Sequence, residues 1–240
     1  MLQCADIIKD FGGVRALAEV NLDVHQGEIL GLVGPNGSGK STLINNITGQ
    51  YVPTSGHIRF LNNEIAGHPP HLINHLGIAR TYQIPRPFAT MTVQENVEIS
   101  VLFGNTQAVP LADAGIEAHK WLEFTGLAQY ANVPVDKLNL HQRKFLELSR
   151  ALATYPRLLL LDEVMAGLNP SEIDESVEMI RKVHDSGVTI VIVEHLMRVV
   201  TSLSTRMVVL DQGKVIAEGS PAGVMQDPLV ISAYLGKDYA

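Results

Sequence analysis

The most specific chemical signal lies in a short stretch from Gly34 to Thr42. It reads GPNGSGKST and fits the pattern G-x-x-x-x-G-K-[ST], with an apolar run before it and a helical pattern after it. Glycines in such a loop let backbone N–H groups surround phosphate oxygens, and the following helix adds its positive end. We expect Lys40 to reach the β- and γ-phosphates of a nucleotide and Ser41 to offer its hydroxyl to Mg²⁺. The other predicted contacts of this loop are Asn36, Gly37, Gly39 and Thr42.

A pair of acidic residues follows a second apolar run. LLLLDE ends in Asp162 and Glu163. Asp162 leaves the predicted strand where it can hold the Mg²⁺ shell, and Glu163 is a candidate base for the attacking water. Two acids that merely end a strand are the alternative, but the presence of Lys40 and Ser41 favours the catalytic interpretation.

Two further polar residues follow predicted strands. His195 comes just after IVIVE, and Gln83 follows the strand-like GIART. Ligands of open α/β sheets bind beyond the carboxyl ends of the strands, so both residues are candidates for the site. On position alone, a solvated histidine and an incidental glutamine remain open alternatives.

The elements that must position these residues alternate between strands and helices, which predicts an α/β fold with a largely parallel sheet. ILGLV, LLLLD and VTIVIVE are apolar enough to be strands buried on both faces. A helix is expected from Ser171 to His184, between the last two of these strands. Near the end, RMVVLDQGKVIAEGS predicts a hairpin that turns at Asp211-Gln212-Gly213.

From about residue 84 to 155 the strand signal disappears. Helical patterns cover 92–102, 116–126 and 142–153, joined by loops that contain proline and glycine. We therefore predict one domain, 1–240, with a helical subdomain inserted at about 84–155 and a small antiparallel β portion.

Composition excludes several classes of function. The net charge of −7 argues against a nucleic-acid surface, and the single cysteine, Cys4, excludes an internal disulfide. The first residues carry charges where a signal peptide needs an apolar run, and no apolar run approaches the roughly 20 residues of a membrane span. We expect a cytoplasmic protein that reaches a membrane only through another chain.

Taken together, these motifs resemble the nucleotide-binding subunit of an ATP-binding cassette (ABC) transporter. The resemblance rests on the order of Lys40-Ser41, Gln83, a helix start near residue 140, Asp162-Glu163 and His195. It implies an ATPase with a P-loop core and Mg·ATP as cofactor. By the same resemblance Gln83 joins the metal ligands Ser41 and Asp162 and links the nucleotide to a membrane partner. It further implies that His195 contacts the γ-phosphate, and that Phe11, with Val14 alongside, stacks on adenine unless Phe11 packs in the core.

Three phrases resemble the importer branch for branched-chain and other hydrophobic amino acids. They are RTYQIPRPFATMTVQENV, DEVMAGLNPSE and ISAYLGKDY. This branch implies membrane permease subunits, a second ATPase subunit and, indirectly, an extracytoplasmic substrate-binding protein. The chain would then lie on the cytoplasmic face of the membrane, held there by the permeases.

The signature loop departs from the family pattern. Where the family reads roughly Leu-Ser-Gly-Gly-Gln, this chain has Leu138-Asn139-Leu140-His141-Gln142. Asn139 can still cap the helix with Gln142 as reciprocal partner, but Leu140 and His141 add side chains where glycine lets backbone approach phosphate. Because a symmetric dimer would be weakened at both sites, we favour a heterodimer whose partner completes this chain's own site. The alternative is that the variant loop works adequately.

Two other functions compete with the transporter. A soluble ABC ATPase acting on a non-transport assembly is one, although it would more often have two cassettes, a long coiled coil or a basic face. A weakly catalytic, nucleotide-sensing subunit is the other, motivated by Asn139-Leu140-His141 alone.

Overall fold

A computed structural model describes residues 1–104 and 109–235. The strands are β1 (Leu2–Phe11), β2 (Val14–Val24), β3 (Ile29–Val33), β4 (Ser55–Phe60), β5 (Asn63–Glu64), β6 (Ile78–Arg80), β7 (Leu158–Asp162), β8 (Thr189–Val193), β9 (Arg206–Asp211) and β10 (Lys214–Gly219). The helices are α1 (Lys40–Ile47), α2 (Pro70–His75), α3 (Val93–Phe103), α4 (Leu111–Phe124), α5 (Leu140–Leu152), α6 (Pro170–Asp185), α7 (Met197–Leu203), α8 (Pro221–Val224) and α9 (Pro228–Leu235). The α/β fold class is confirmed.

Backbone contacts divide the chain into two compact units. Unit 1 contains residues 1–73 and the chain from Thr189 onward, and unit 2 contains Asn74–Val188. The predicted helical subdomain, 84–155, lies within unit 2, and its boundaries remain a prediction.

Unit 1 contains a mixed set of strands in the order β10-β9-β3-β8. β3 is parallel to both β8 and β9, whereas β9 and β10 form the antiparallel hairpin expected at Asp211-Gln212-Gly213. Every residue of β3 and β8 is buried, which explains why both read as continuous apolar runs. The loop after β3 is the predicted phosphate loop, so this buried strand fixes where that loop begins.

A second, antiparallel sheet in unit 1 has the order β2-β1-β4-β5. β1 and β2 form a hairpin in which Phe11 pairs with Val14 across the Gly12-Gly13 turn. The sequence interpretation included only HIRF of β4 among these strands. It missed the β1/β2 hairpin because charged residues such as Asp6, Lys9 and Asp10 interrupt its apolar alternation.

Unit 2 combines the parallel pair β6 and β7 with four long helices. Within its helical part, side chains from three helices form one buried cluster: Val93, Val97 and Val101 of α3, Ala114, Ala118 and Leu122 of α4, and Leu146 of α5. The small alanines of α4 let it approach α3 closely. This cluster packs α5 against α3 and α4.

Three helices of unit 2 begin with a capping box. Thr92 with Glu95 caps α3, Asn139 with Gln142 caps α5, and Asn169 with Glu172 caps α6. In each box the side chain of the first residue accepts from the backbone N–H of the second, and the side chain of the second accepts from the backbone N–H of the first. The predicted pair of Asn139 and Gln142 is confirmed as a cap. Helix α5 begins at Leu140, two residues before the predicted start, and α4 begins at Leu111 rather than 116.

Candidate active site

The predicted phosphate loop runs between β3 and α1 and surrounds the ammonium group of Lys40. Lys40 is buried, and its Nζ donates to the carbonyl oxygens of Gly34 at 2.7 Å and Pro35 at 2.9 Å and to Ser38 Oγ at 3.3 Å. A positive charge held inside a loop of backbone groups suits a triphosphate. The next residue, Ser41, is exposed at the start of α1.

Helix α1 starts without a side-chain cap, unlike α3, α5 and α6. Its N-cap is Gly39, which has φ +110° and no side chain that could accept a hydrogen bond from the first N–H groups of the helix. The N-terminal end of α1 therefore has no side-chain cap, and helix N-termini favour negative charge. A Cβ on Gly39 would lie 2.9 Å from the carbonyl oxygen of Ala16, and one on Gly34 would lie 2.0 Å from that of Leu210. Only glycine fits these two positions, so the loop sequence follows from its packing.

Phe11 is a surface residue and not part of the core. Its ring is 41% exposed and meets the ring of Tyr51 edge to face, with centroids 5.2 Å apart. Lys9 Nζ lies 4.9 Å from the Phe11 centroid. Val14, its partner across the hairpin, is also exposed. The core alternative for Phe11 is thereby excluded, and an accessible aromatic surface remains for a purine base.

His195 lies two residues beyond the end of β8 and is exposed, whereas Glu194, between it and the strand, is buried. The strand places it at a carboxyl end, as expected. Asn36, Gly37 and Thr42 complete the predicted contacts of unit 1: the first two are exposed at the loop tip, and Thr42 is half-buried in α1.

In unit 2, both acids of LLLLDE receive hydrogen bonds from the end of β6 or the segment after it. Arg80 donates to Asp162 Oδ2 at 2.6 Å, and the side-chain amide of Gln83 donates to Glu163 Oε2. β6 and β7 are adjacent and parallel, with Arg80 opposite Leu160, so the residues after them meet at one edge. Gln83 and Glu163, which were predicted separately as site residues, are thus in direct contact.

The backbone of Glu163 takes an uncommon conformation. Its φ is +49°, which for a residue other than glycine costs about 1–3 kcal/mol. The buried ammonium of Lys144 donates to the carbonyl oxygen of Glu163 at 3.3 Å and helps to hold this turn. The Glu163 carboxylate therefore leaves the strand in a direction that β7 alone would not give it.

Known proteins resemble this chain along nearly its whole length. The family model described as ABC transporter matches residues 17–166, and that described as branched-chain amino acid ATP-binding cassette transporter matches 214–240. The high-affinity branched-chain amino acid transport ATP-binding proteins BraF of Pseudomonas aeruginosa and LivG of Escherichia coli are 38% and 37% identical, covering 99% of this chain and 98% of each relative. The chain belongs to the ATP-binding cassette family of transporter proteins. As a member of that family it binds and hydrolyses ATP.

Solved structures agree with this assignment. The ADP conformation of MJ1267, an ATP-binding cassette of an ABC transporter, has a TM-score of 0.89 at 33% identity and covers 99% of both chains. A dimeric, post-hydrolysis state of the cassette MJ0796, bound to ADP and Pi, has a TM-score of 0.82 at 26% identity and covers 92% of this chain and 99% of that one. Across residues 1–104 and 109–235, none of the helices has the length and apolarity needed to cross a bilayer.

The cassette's variant signature loop keeps a regular helix start. Leu140 and His141 both lie within α5, and neither has a positive φ. The His141 ring packs against Phe145, with centroids 4.3 Å apart, and its Nε2 lies 3.9 Å from Glu175 of α6. His141 therefore points along the helix side and away from its N-terminal end, whereas Leu140 stays exposed.

Several residues of the cassette's candidate site were missed from the sequence. Lys144 and Tyr51 contact predicted site residues yet fit no motif, and Arg80, which contacts Asp162, was noted only as part of GIART and RTYQIPRPFATMTVQENV. The sequence did contain a signal for Lys144, because a lysine on the apolar face of a helix is rarely buried unless another group pairs with its charge.

Tyr234 of α9 was noted only within the tail phrase. Burial raises the pKa of its hydroxyl, and a backbone hydrogen bond with Gly34 of the phosphate loop lowers it again in part. Residues 236–239 of that phrase lie outside the described part.

Proposed function

We propose that this cassette hydrolyses Mg·ATP to drive uptake of branched-chain or other hydrophobic amino acids. The observation that carries the proposal is the contact of Gln83 with Glu163 beside Asp162, in a chain similar over 99% of its length to two branched-chain amino acid transport ATP-binding proteins. It is supported by the match of residues 214–240 to the branched-chain family model.

In this proposal Glu163 orients and deprotonates the attacking water, while Lys40 and His195 stabilise the transferring phosphoryl group. Phe11 and Val14 hold the adenine, with Tyr51 supporting the Phe11 ring. The predicted metal ligands Ser41, Gln83 and Asp162 all offer oxygen atoms, which are the donors that Mg²⁺ prefers. When bound, Mg²⁺ would neutralise charge on the β- and γ-phosphates.

The proposed partners are membrane permease subunits and a second cassette, and an extracytoplasmic substrate-binding protein takes part indirectly. The cassette would lie at the cytoplasmic face of the membrane through the permeases. We favour a heterodimer, because Leu140 remains exposed at the start of α5, where the family pattern has glycine. Because His141 packs against Phe145, Leu140 is the one of these two added side chains that remains exposed at the helix start.

The test is purification of the tagged chain from solubilised native membranes, followed by reconstitution into vesicles with ATP inside and a radiolabelled amino acid on the other face. Co-purifying permeases, a second cassette and ATP-dependent leucine uptake are expected. Permeases with this cassette alone would replace the heterodimer by a homodimer. Soluble partners alone would overturn the transporter function and favour an ABC ATPase of another assembly, and bound ATP without turnover would favour a sensing subunit.

A further inference from the structure

The segment that follows Gln83 has a backbone that ordinary sheet or helix pairing cannot satisfy. It reads IPRPF, residues 84–88, and is called the proline segment below. Pro85 and Pro87 have no N–H, so neither can donate in a ladder. The polar backbone groups of Arg86 and Phe88 must therefore find side-chain partners or water.

Two residues of α5 hold the backbone of Arg86. Its N–H donates to Glu147 Oε1 at 2.6 Å, and Arg150 Nη1 donates to its carbonyl oxygen at 3.0 Å. Arg150 Nη1 also donates to Glu147 Oε1 at 2.8 Å, which fixes the two side chains relative to each other. Glu147 is only 6% exposed, so its carboxylate is committed to these two partners in a poorly hydrated place. Both backbone groups of Arg86 are thus bound to one face of α5.

A separate residue holds Phe88. Its N–H donates to Asn96 Oδ1 at 2.7 Å, and Asn96 Nδ2 donates back to its carbonyl oxygen at 3.1 Å. Asn96 belongs to α3 and is fully buried. The proline segment is therefore attached at two points, to α5 through Arg86 and to α3 through Phe88, and the two attachments can be tested independently.

The attachment to α5 connects two parts of the proposed mechanism. Helix α5 begins at the variant signature loop, and the residue just before the proline segment, Gln83, donates to Glu163. At the outer side of the segment, Ile84 is 72% exposed and Phe88 is 44% exposed. A displacement of α5 therefore reaches these apolar side chains through Arg86 without a flexible link.

We propose that Glu147 and Arg150 are positioning residues that make the proline segment move with α5, so that the nucleotide state is passed to the membrane partner. The proposal rests on the proposed function, because it requires such a partner. The attachment is rigid because a charged acceptor in a buried site holds the only N–H within Pro85-Arg86-Pro87. Within residues 74–104 and 109–188, Glu147 and Arg150 contact none of the predicted nucleotide ligands, so their effect is on coupling.

The first experiment measures exchange of the Arg86 amide hydrogen in the full-length chain. The sequence contains two Pro-Arg pairs, Pro85-Arg86 and Pro156-Arg157, so carbonyl-¹³C proline with ¹⁵N arginine isolates two NMR signals. Arg157 donates to the carbonyl of Gly77 at 2.8 Å and serves as the internal reference. Glu147→Ala is expected to speed exchange at Arg86 by about ten-fold or more and to leave Arg157 unchanged.

Two variants keep this measurement decisive. Glu147→Gln retains an acceptor oxygen and is expected to preserve most of the protection of Arg86. Asn96→Asp retains the acceptor for the Phe88 N–H and should leave Arg86 as in the original chain. Equal exchange at Arg86 in the original chain and Glu147→Ala would overturn the attachment, as would faster exchange at Arg86 and Arg157 alike.

The second experiment measures coupling in the reconstituted transporter, as amino acid imported per ATP hydrolysed. Glu147→Ala is expected to retain ATP turnover while the ratio falls by about five-fold or more, and Glu147→Gln should restore most of it. If the unaltered complex imports nothing, the proposed function fails and not the attachment. If the unaltered complex imports and Glu147→Ala shows the same ratio despite faster Arg86 exchange, the coupling role is refuted.

Discussion

Arg80 donates a hydrogen bond of 2.6 Å to the carboxylate of Asp162, and each side chain is only 9% exposed. Removal of one member of a buried ion pair leaves the other charge poorly solvated, at a cost of about 3–5 kcal/mol. We therefore expect Arg80→Met to lower the free energy of unfolding by roughly that amount, measured by urea denaturation.

The matched control is Arg59→Met, because Arg59 lies 3.7 Å from Glu64 and both side chains are well exposed. That change should cost about 1 kcal/mol or less. The double variant Arg80→Met/Asp162→Asn should recover part of the loss, since it leaves no buried charge behind. A loss no larger than that of Arg59→Met would contradict a buried pair of this kind.

Glu163→Gln should separate ATP binding from ATP hydrolysis. Glutamine keeps an acceptor oxygen for the Gln83 amide but cannot accept the proton of water. ATP affinity should therefore stay within a few-fold, while turnover falls by about 10²–10⁴-fold. Glu178→Gln changes an exposed carboxylate of α6 and controls for loss of charge. Near-normal turnover of Glu163→Gln would remove Glu163 from the role of base.

Phe11→Ala should weaken nucleotide binding through the base and not through the phosphates. Stacking of a base on an aromatic ring contributes about 1–3 kcal/mol, so ATP affinity should fall roughly 5- to 150-fold, as measured by calorimetry. Affinity for inorganic triphosphate should not change. Phe103→Ala, which truncates an exposed ring of unit 2, is the control. An equal loss for ATP and triphosphate would mean that Phe11 supports the loop and does not contact adenine.

The two side chains that replace glycine in the signature loop should behave differently. Leu140→Gly removes the exposed side chain at the start of α5, and we expect it to raise ATP turnover of the chain paired with itself. His141→Gly removes packing against Phe145 and should lower stability by about 1 kcal/mol or more without raising turnover. Turnover of purified chain at several protein concentrations distinguishes them. A gain with His141→Gly alone would reverse the assignment.

Burial, assisted by the negative charge of Asp23, raises the pKa of the Cys4 thiol from 9.0 to about 12. Between pH 9 and 12 the Cys4 thiol therefore keeps its proton in the folded chain and loses it in the unfolded chain. Because the unfolded state then binds fewer protons, stability should fall as pH rises through this window. Urea denaturation from pH 8 to 10.5 measures the slope, and Cys4→Ala should remove it. An unchanged slope in Cys4→Ala would assign it to other groups, such as Tyr155.

Much of the fold was predictable because its strongest elements depend on local chemistry. β3, β7 and β8 are buried on every residue, and such strands read as unbroken apolar runs. The cap of α5 was predictable for the same reason, since Asn139 and Gln142 act over three residues, whereas the equivalent pair of α6, Asn169 with Glu172, was not predicted.

The remaining features depend on contacts between distant residues. The β1/β2 hairpin is half-exposed and charged, so its alternation is weak. The partner of Asp162 is Arg80, 82 positions away, and the partner of the Arg86 N–H is Glu147, 61 positions away. No local pattern specifies such pairs; only the register of β6 with β7 and the packing of α5 do so. The roles of the predicted site residues stay predictions for the experiments above.

The division of the chain into units has a consequence for its synthesis on the ribosome. Unit 2 is one uninterrupted stretch, Asn74–Val188, and can begin to fold as soon as that stretch has emerged. In unit 1, by contrast, β3 pairs with β8 and β9, which are made more than 150 residues later. Until then the apolar β3 has neither neighbouring strand, and no complete sheet holds the phosphate loop that follows it. Slow translation between residues 74 and 188 therefore prolongs the exposure of an apolar, unpaired strand. Nascent chains arrested in that range should recruit chaperones most strongly.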